Sequence, residues 1–249
     1  MIRSVGKALD ILELLSANES REVSLTEIAS ALSMDVGTCA NLIKTLRLRG
    51  YVDQSAPRSG YRIGYRLYHL SGRTIENDFL TKIARTDIEA LGESLNECAL
   101  LSVIRNDRRI VLMSTTPDRE IIVRTTFDKS VYKACTGRMI LSCYTQEHLG
   151  QFVNRVGLPS GEEWPGVGDS PNPESELMNA LVEIKRKGYA SDRDSHGIAG
   201  FAAPLFKDGH VCGSVGVYLP VERLKDPAIV LERVLSCASD INEKLKKKY

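Results

Sequence analysis

The sequence predicts an α+β fold in two domains. Near the N-terminus, three segments with apolar residues at helical spacing are followed by two short strand-like pieces around a turn. Beyond residue 98 the pattern changes to strands that pair through hairpins, with helices between them, which is typical of an antiparallel sheet covered by helices. A chain of 249 residues with 43% hydrophobic content is long enough to build two cores.

The first domain begins with three predicted helices. In the first, Ser4 to Leu15, the apolar residues Val5, Ala8, Leu9, Leu12 and Leu15 form one stripe that is expected to cover the other two helices. The second begins at Leu25 and stops at Ser33 and Met34. Asp35 is placed to cap the third helix, whose predicted buried positions are Leu42, Ile43 and Leu46.

The third predicted helix leaves one polar face free. Thr38, Asn41, Lys44 and Arg47 lie on that face. Two short helices joined by a tight turn, with the second exposing such a face, are how many proteins present side chains to the major groove of DNA. The region 25–51 is therefore a candidate helix-turn-helix.

A β-hairpin is predicted after Gly50, which can end the third helix. Residues 51–53 and 60–63 are strand-like and flank a turn that carries Arg58, so the hairpin forms a wing. Between Val36 and Arg73 there are seven basic residues and one acidic residue, Asp53. Such an excess suits contact with phosphates, although a solvated basic face would have the same composition.

The remaining elements follow in order along the chain. A helical pattern over 65–77 is expected to connect the domains, which gives a predicted division into 1–64, a linker helix 65–78 and 79–249. Helices are predicted at 80–95, 136–144, 146–156, 174–187 and 227–247, and strands at 99–105, 110–115, 121–126, 189–191, 198–206 and 211–219. Residues 158–173 are rich in proline and glycine and are expected to form a surface loop.

Several classes of protein are disfavoured by the sequence. The six cysteines are scattered without the spacing of zinc ligands, so no metal site is expected, and they are interpreted as small core residues in a reducing compartment. No glycine-rich phosphate loop and no nucleophile elbow is present, and no cofactor is expected. The chain lacks an apolar signal or membrane segment, which favours a cytoplasmic protein without a membrane partner.

The order of six short motifs resembles the IclR family of bacterial transcription regulators. These are SVGKALDILELL, LTEIASALSM with LIKTLRLRGYV, GYRIGYRLYHLSG, KACTGRMIL, KGYASD and GFAAPLF. The resemblance covers nearly the whole chain. It implies a winged helix that binds a palindromic operator in double-stranded DNA, a second domain of GAF-like topology that binds a small effector, and homodimers that often associate as dimers of dimers.

The resemblance places the recognition helix at Val36 to Arg49. Many members have Pro-Lys-Ser-Thr and then Ala-His-Arg at its start, and only Thr38 is retained here. The Asn41 amide can bond adenine through two hydrogen bonds, whereas Lys44 and Arg47 can reach phosphates; alternatively, Asn41 is only a solvated helix residue. The predicted DNA-binding residues are Thr26, Thr38, Asn41, Lys44, Thr45, Arg47, Arg58 and Arg62.

The resemblance also implies an effector pocket framed by four segments. One is the start of a helix within Val131 to Met139, where free backbone N–H groups can hold a carboxylate. The predicted effector-binding residues are Lys133, Ala134, Cys135, Thr136, Gly137, Asp192, Ser195, His196, Gly200, Gly216 and Tyr218.

At the last three of these positions, the residues of this chain differ from those of relatives that bind small oxoacids. Those relatives often have a cysteine and two serines where this chain has Gly200, Gly216 and Tyr218. The glycines are expected to add space and the tyrosine an aromatic wall, which favours a bulkier organic acid, with aromatic acids among the candidates. The alternative is that Tyr218 points into the core and the pocket lies elsewhere.

Three functions are weighed from the sequence. The first, favoured here, is a DNA-binding transcription factor controlled by a small organic acid rather than an enzyme. The second is a cysteine-dependent enzyme in which Cys135 is the nucleophile and His196 or Asp194 assists, with Cys135 also considered as a redox sensor. The third is a protein-interaction module whose basic face meets an acidic partner.

Overall fold

The computed structural model describes residues 2–18, 21–56, 59–67, 79–123 and 128–247. The chain divides into two compact units, Met1–Asn77 and Asp78–Tyr249. The predicted linker helix at 65–78 is helical over residues 65–67, and the rest of it lies outside the described residues.

The first unit is a three-helix core with a short hairpin. Helices α1, α2 and α3 span Arg3–Ser16, Leu25–Ala31 and Val36–Leu48, and strands β1 and β2 are Val52–Asp53 and Arg62–Ile63. The strands pair antiparallel, and Val23 forms a further bridge with Tyr61 that the sequence did not indicate. The fold of this unit is therefore a helix-turn-helix followed by a wing.

The predicted packing face of α1 is wrong in part. Ile11 and Leu15 are buried, whereas Val5 and Leu9 are 54% and 53% exposed. Ile11 and Leu15 lie one helical turn apart, so the buried face passes through them. The side chains of Val5 and Leu9 consequently lie at the edge of the core or beyond it.

The helix boundaries in this unit follow from local hydrogen bonds. The Ser24 hydroxyl accepts the Glu27 N–H while the Glu27 carboxylate accepts the Ser24 N–H, a capping box that starts α2. The Asp35 carboxylate accepts the Thr38 N–H at 2.9 Å and starts α3, as predicted. Gly50 follows α3 with φ of 75°, the left-handed conformation that ends many helices.

The second unit is a six-stranded antiparallel sheet between two layers of helices. Its helices are α4 Phe79–Leu95, α5 Cys135–Ser142, α6 Gln146–Val156, α7 Pro173–Lys187 and α8 Pro227–Lys246. Its strands are β3 Cys98–Arg105, β4 Arg108–Ser114, β5 Asp128–Lys129, β6 Ala190–Arg193, β7 Ile198–Lys207 and β8 His210–Pro220, in the order β5-β4-β3-β8-β7-β6.

The two faces of the sheet carry different cores. Apolar residues of α4 and α8 pack on one face against Leu101, Val215 and Val217, and α5 packs on the other. Ser214 of β8 donates a hydrogen bond of 3.0 Å to the Thr136 carbonyl, which fixes the start of α5 against the sheet. The predicted α+β fold is confirmed.

One predicted strand, 121–126, is not observed where the structure describes it. Residues 121–123 are not extended in the sheet, and 124–126 lie outside the described residues. The Ile121 carbonyl accepts a hydrogen bond from the Arg223 side chain at 3.2 Å. The short strand beside β4 is instead β5.

An ionic cluster around the buried Glu97 carboxylate ties this segment to the sheet. The Glu97 side chain is only 4% exposed and pairs with Arg223 through two contacts of 2.6 and 2.7 Å. Arg119 approaches the same carboxylate at 3.4 Å and donates to the Asn96 carbonyl at 2.8 Å. Glu97 therefore holds the segment after β4 and the segment after β8 against the start of β3.

None of the helices in the described part of the chain combines the length and the apolar character that a membrane span requires.

Candidate nucleic-acid interface and effector pocket

Helix α3 has one buried face and one exposed polar face. Cys39 and Ile43 are buried against α1 and α2. On the other side, five of the predicted DNA-binding residues are exposed, namely Thr38, Asn41, Lys44, Thr45 and Arg47. The structure thus brings these side chains to one surface of one rigid helix, although the Thr45 hydroxyl also donates to the Asn41 carbonyl at 3.0 Å.

The three remaining predicted DNA-binding residues are not on α3. Thr26 is exposed in the first turn of α2, with its hydroxyl 3.3 Å from that of Ser24. Arg62 on the wing pairs with Asp53 at 3.2 Å. The pKa of the Asp53 carboxyl is lowered most by the hydrogen bond from the Gln54 N–H and next by the Arg62 guanidinium. Asp53 therefore offsets part of the positive charge of the wing. Arg58 lies outside the described residues.

Sequence reasoning missed an apolar residue on this surface. Leu48 is 81% exposed and lies seven residues after Asn41, on the same side of α3. The sequence did indicate that Leu48 is exposed, because a residue two helical turns from an outward-facing position such as Asn41 cannot face the core.

The second unit has a small cleft at the start of α5, with a volume of about 50 Å³. It is lined by Arg109, Val123, Lys133, Ala134, Cys135, Asp192, Asp194, Ile198, Gly200 and Tyr218. Six of the predicted effector-binding residues are among them. The structure therefore brings all four predicted segments together.

The Tyr218 hydroxyl lies at the N-terminus of α5. It accepts the Thr136 N–H at 3.4 Å and a hydrogen bond from the Cys135 thiol at 3.2 Å, and it is 3.3 Å from the Thr136 hydroxyl. Tyr218 thus lines the cleft, and its phenol contacts the backbone of the helix start.

The expectation that the two glycines add space is wrong. A Cβ at Gly200 would lie 2.8 Å from the Tyr218 ring and 2.8 Å from the Cys135 sulfur, and a Cβ at Gly216 would lie 2.5 Å from the Thr136 methyl. The missing side chains make room for protein atoms rather than for a ligand. Gly137 serves the same purpose, because a Cβ there would meet the Val131 carbonyl oxygen.

Two of the predicted effector residues lie away from the cleft. Ser195 and His196 are exposed in the turn between β6 and β7, and the His196 side chain is 78% exposed. The Asp194 carboxylate shapes this turn by accepting the N–H groups of His196 and Ile198, both at 2.9 Å. The turn directs both side chains outward, while Asp192 and Asp194 remain at the cleft.

Two arginines beside the cleft were not predicted. Arg109 is buried with 1% exposure and lines the cleft. Arg138 is also buried; it pairs with Asp192 at 2.9 Å, and its guanidinium lies 4.3 Å from the centre of the Trp164 ring. A signal for Arg109 existed, because successive strand residues face opposite sides and one of the pair Arg108-Arg109 must therefore face inward.

Arg138 also fixes the position of Asp192. Its guanidinium donates to the carbonyls of Tyr132 and Glu163, which attaches the loop after α6 to α5. Burial lowers the pKa of the Arg138 guanidinium, and the Asp192 carboxylate opposes that shift. The pair with Asp192 therefore compensates a buried positive charge and holds one wall of the cleft.

The environment of Cys135 does not favour a nucleophile or a redox sensor. Burial raises the pKa of the Cys135 thiol to about 11, so the thiol is protonated at neutral pH, whereas nucleophilic cysteines have lowered pKa values. Its hydrogen bond goes to Tyr218, and the predicted helper His196 is directed to solvent.

The six cysteines are mostly core residues, as expected. Cys39, Cys98, Cys135 and Cys237 are buried, and Cys143 and Cys212 are half-buried. Among the residues that the structure describes, no group of three or more His, Cys, Asp or Glu side chains is placed to hold a metal ion.

Curated proteins similar to this chain are transcriptional regulators. The chain is 24% identical over 250 residues to the HTH-type transcriptional regulator BhcR of Paracoccus denitrificans, covering 97% of this chain and 86% of that protein. It is 25% identical to the HTH-type transcriptional regulator TtgV of Pseudomonas putida, covering 94% and 88%.

Solved structures share the fold over the full length. An IclR transcriptional regulator from Alicyclobacillus acidocaldarius matches with a TM-score of 0.76 at 22% identity, covering 99% of this chain and 98% of the other. An IclR homolog from Microbacterium hydrocarbonoxydans, solved in complex with 4-hydroxybenzoate, matches with a TM-score of 0.74 at 18% identity, covering 98% and 99%.

Two family models match the two units. Residues 4–56 match the IclR helix-turn-helix domain, and residues 73–243 match the C-terminal domain of the bacterial transcriptional regulator IclR. The chain therefore belongs to the IclR family of bacterial transcriptional regulators.

Proposed function

We propose that this regulator reads a palindromic operator with α3, as a homodimer or a dimer of dimers, and that a small organic acid bound at the cleft of the second unit changes its affinity for the operator. The observation that carries the proposal is that one unit has an exposed polar helix face and the other has a cleft at a helix N-terminus that is lined by the buried Arg109.

The α3 surface supplies the groups that DNA recognition needs. An Asn41 amide can read adenine, Leu48 can contact a thymine methyl group, and Lys44 and Arg47 can neutralise phosphates. Because phosphate contacts carry no sequence information, we assign base recognition to Asn41 and Leu48 and positioning to the two cations.

The cleft supplies the groups that hold an anion. At the N-terminus of α5 the Thr136 N–H bonds to the hydroxyl of Tyr218, which lines the cleft, and Arg109 and Lys133 also line it. The carboxylates of Asp192 and Asp194 line the same cleft, so a ligand with one acidic group and a neutral remainder fits better than a dianion. The 4-hydroxybenzoate bound by the relative from Microbacterium hydrocarbonoxydans supports the choice of an aromatic monocarboxylate.

Selection of duplexes from random DNA with the full chain tests the first part of this proposal. We expect enrichment of an inverted repeat whose half-sites are separated by about one or two turns of the double helix, and affinity that falls steeply with salt. Equal binding of all duplexes, with no enriched sequence, would contradict it and favour a basic face that serves another partner.

A further inference from the structure

Tyr218 fills the part of the cleft where an effector would contact α5. Its hydroxyl accepts the Thr136 N–H at 3.4 Å, the kind of bond that a carboxylate oxygen would accept from a helix N-terminus. The space that remains is about 50 Å³, enough for one or two water molecules but not for an aromatic ring.

The opposite strand is adapted to this placement of the ring. Gly200 on β7 is the direct cross-strand partner of Tyr218 on β8. A Cβ at Gly200 would lie within 2.8 Å of both the Tyr218 ring and the Cys135 sulfur, so glycine is the residue that lets the ring lie across β7. Tyr218 and Gly200 thus act as a pair that closes the cleft.

The phenol also satisfies polar groups that would otherwise face an empty cleft. The Cys135 thiol donates to it at 3.2 Å, and the Thr136 hydroxyl lies 3.3 Å away. The ring is therefore held by hydrogen bonds as well as by packing.

We propose that Tyr218 is a built-in occupant of the effector site, which closes the cleft when no effector is bound and which an effector must displace. The inference rests on the proposed function, because it assumes that the cleft is the effector site. It narrows the effector class to flat molecules with a terminal oxygen acceptor, such as benzoates and phenols, which replace both the ring and its hydroxyl. A carboxylate additionally gains the attraction of the buried Arg109.

Displacement of an internal occupant lowers the apparent affinity of every effector, because only the open fraction of the protein can bind. Removal of the ring should abolish this cost. The full chain carrying Tyr218→Ala is therefore expected to bind benzoate and phenol at least about tenfold more tightly than the wild type, as measured by isothermal titration calorimetry.

Two control variants distinguish displacement of the Tyr218 ring from a general gain in affinity caused by any new cavity. Tyr144→Ala removes a half-buried tyrosine from a different cluster, beside Phe152, and is expected to gain no affinity for either probe. Tyr218→Phe keeps the ring but loses the oxygen that accepts hydrogen bonds from the Thr136 N–H and the Cys135 thiol. Because these neutral hydrogen bonds no longer hold the ring in the cleft, the variant is expected to bind benzoate at least about threefold more tightly than the wild type.

Each outcome decides the inference. A folded Tyr218→Ala variant whose affinity for both probes equals that of the wild type would overturn it. If Tyr218→Ala does not fold, unchanged benzoate affinity in Tyr218→Phe would overturn it instead. Operator binding is measured on the same preparations. If Tyr218→Ala gains benzoate affinity but the protein recognises no DNA sequence, the built-in occupant is supported and the proposed function is refuted.

Discussion

Replacement of Asn41 and Arg47 by alanine together is expected to weaken binding to the selected operator by about 100-fold or more. Loss of a bidentate contact to adenine costs about 1–3 kcal/mol, and loss of a phosphate contact costs further affinity and reduces the salt dependence. Both side chains are exposed, so the fold of α3, which depends on Cys39 and Ile43, should be retained. Fluorescence anisotropy with labelled operator at fixed salt gives the affinities.

A control variant that lacks the same two residue types elsewhere shows whether the loss of operator affinity is specific to α3. Asn154→Ala with Arg186→Ala removes the same two residue types from exposed positions on α6 and α7 of the second unit. We expect operator affinity within about twofold of the wild type for this control. Unchanged binding by the α3 variant, with its fold intact by circular dichroism, would refute the assignment of α3 as the recognition helix.

Replacement of Arg223 by alanine is expected to lower the free energy of unfolding by about 3 kcal/mol or more. The Glu97 side chain is only 4% exposed, and Arg223 contacts both of its carboxylate oxygens, at 2.6 and 2.7 Å, whereas Arg119 approaches at 3.4 Å. The variant leaves a buried negative charge with only Arg119 nearby, and it also removes the hydrogen bond to the Ile121 carbonyl. Urea denaturation of the full chain, followed by circular dichroism, gives the change.

Two further variants test the physical reason for that loss. Addition of Glu97→Gln to Arg223→Ala removes the uncompensated charge and should restore a substantial part of the stability. Lys246→Ala breaks an ion pair with Glu243 at the surface and should leave the denaturation midpoint unchanged. A double variant less stable than Arg223→Ala alone would show that the buried charge is not the source of the loss.

The helices and most of the strands could be predicted because local signals agreed with the packing. The Asp35 cap, the Gly50 end of α3 and the α6 span 146–156 all follow from nearest neighbours in the sequence. The packing face of α1 could not be predicted so well, because Val5, Leu9, Ile11 and Leu15 are all apolar and the sequence does not state which of them meets α2 and α3.

The two candidate sites also differ in how far the sequence could predict them. The exposed face of α3 follows from helical periodicity alone. The cleft depends on contacts between residues far apart in the chain: Tyr218 is 82 residues from Thr136, and two helices, α6 and α7, lie between Arg138 and Asp192. The sequence therefore suggested which segments frame the cleft, but not that Tyr218 fills it or that Ser195 and His196 turn away from it.

The effect of an acid bound at the cleft on operator affinity tests the proposed control by an effector most directly. Thermal shift with the full chain first identifies which aromatic and aliphatic carboxylic acids bind. Operator affinity is then measured with and without a saturating concentration of the acid that binds most tightly. We expect operator affinity to change by at least about fivefold, and the affinity for the acid to change by the same factor when operator is present. Operator affinity that stays within about twofold at saturation of every acid that binds would contradict it.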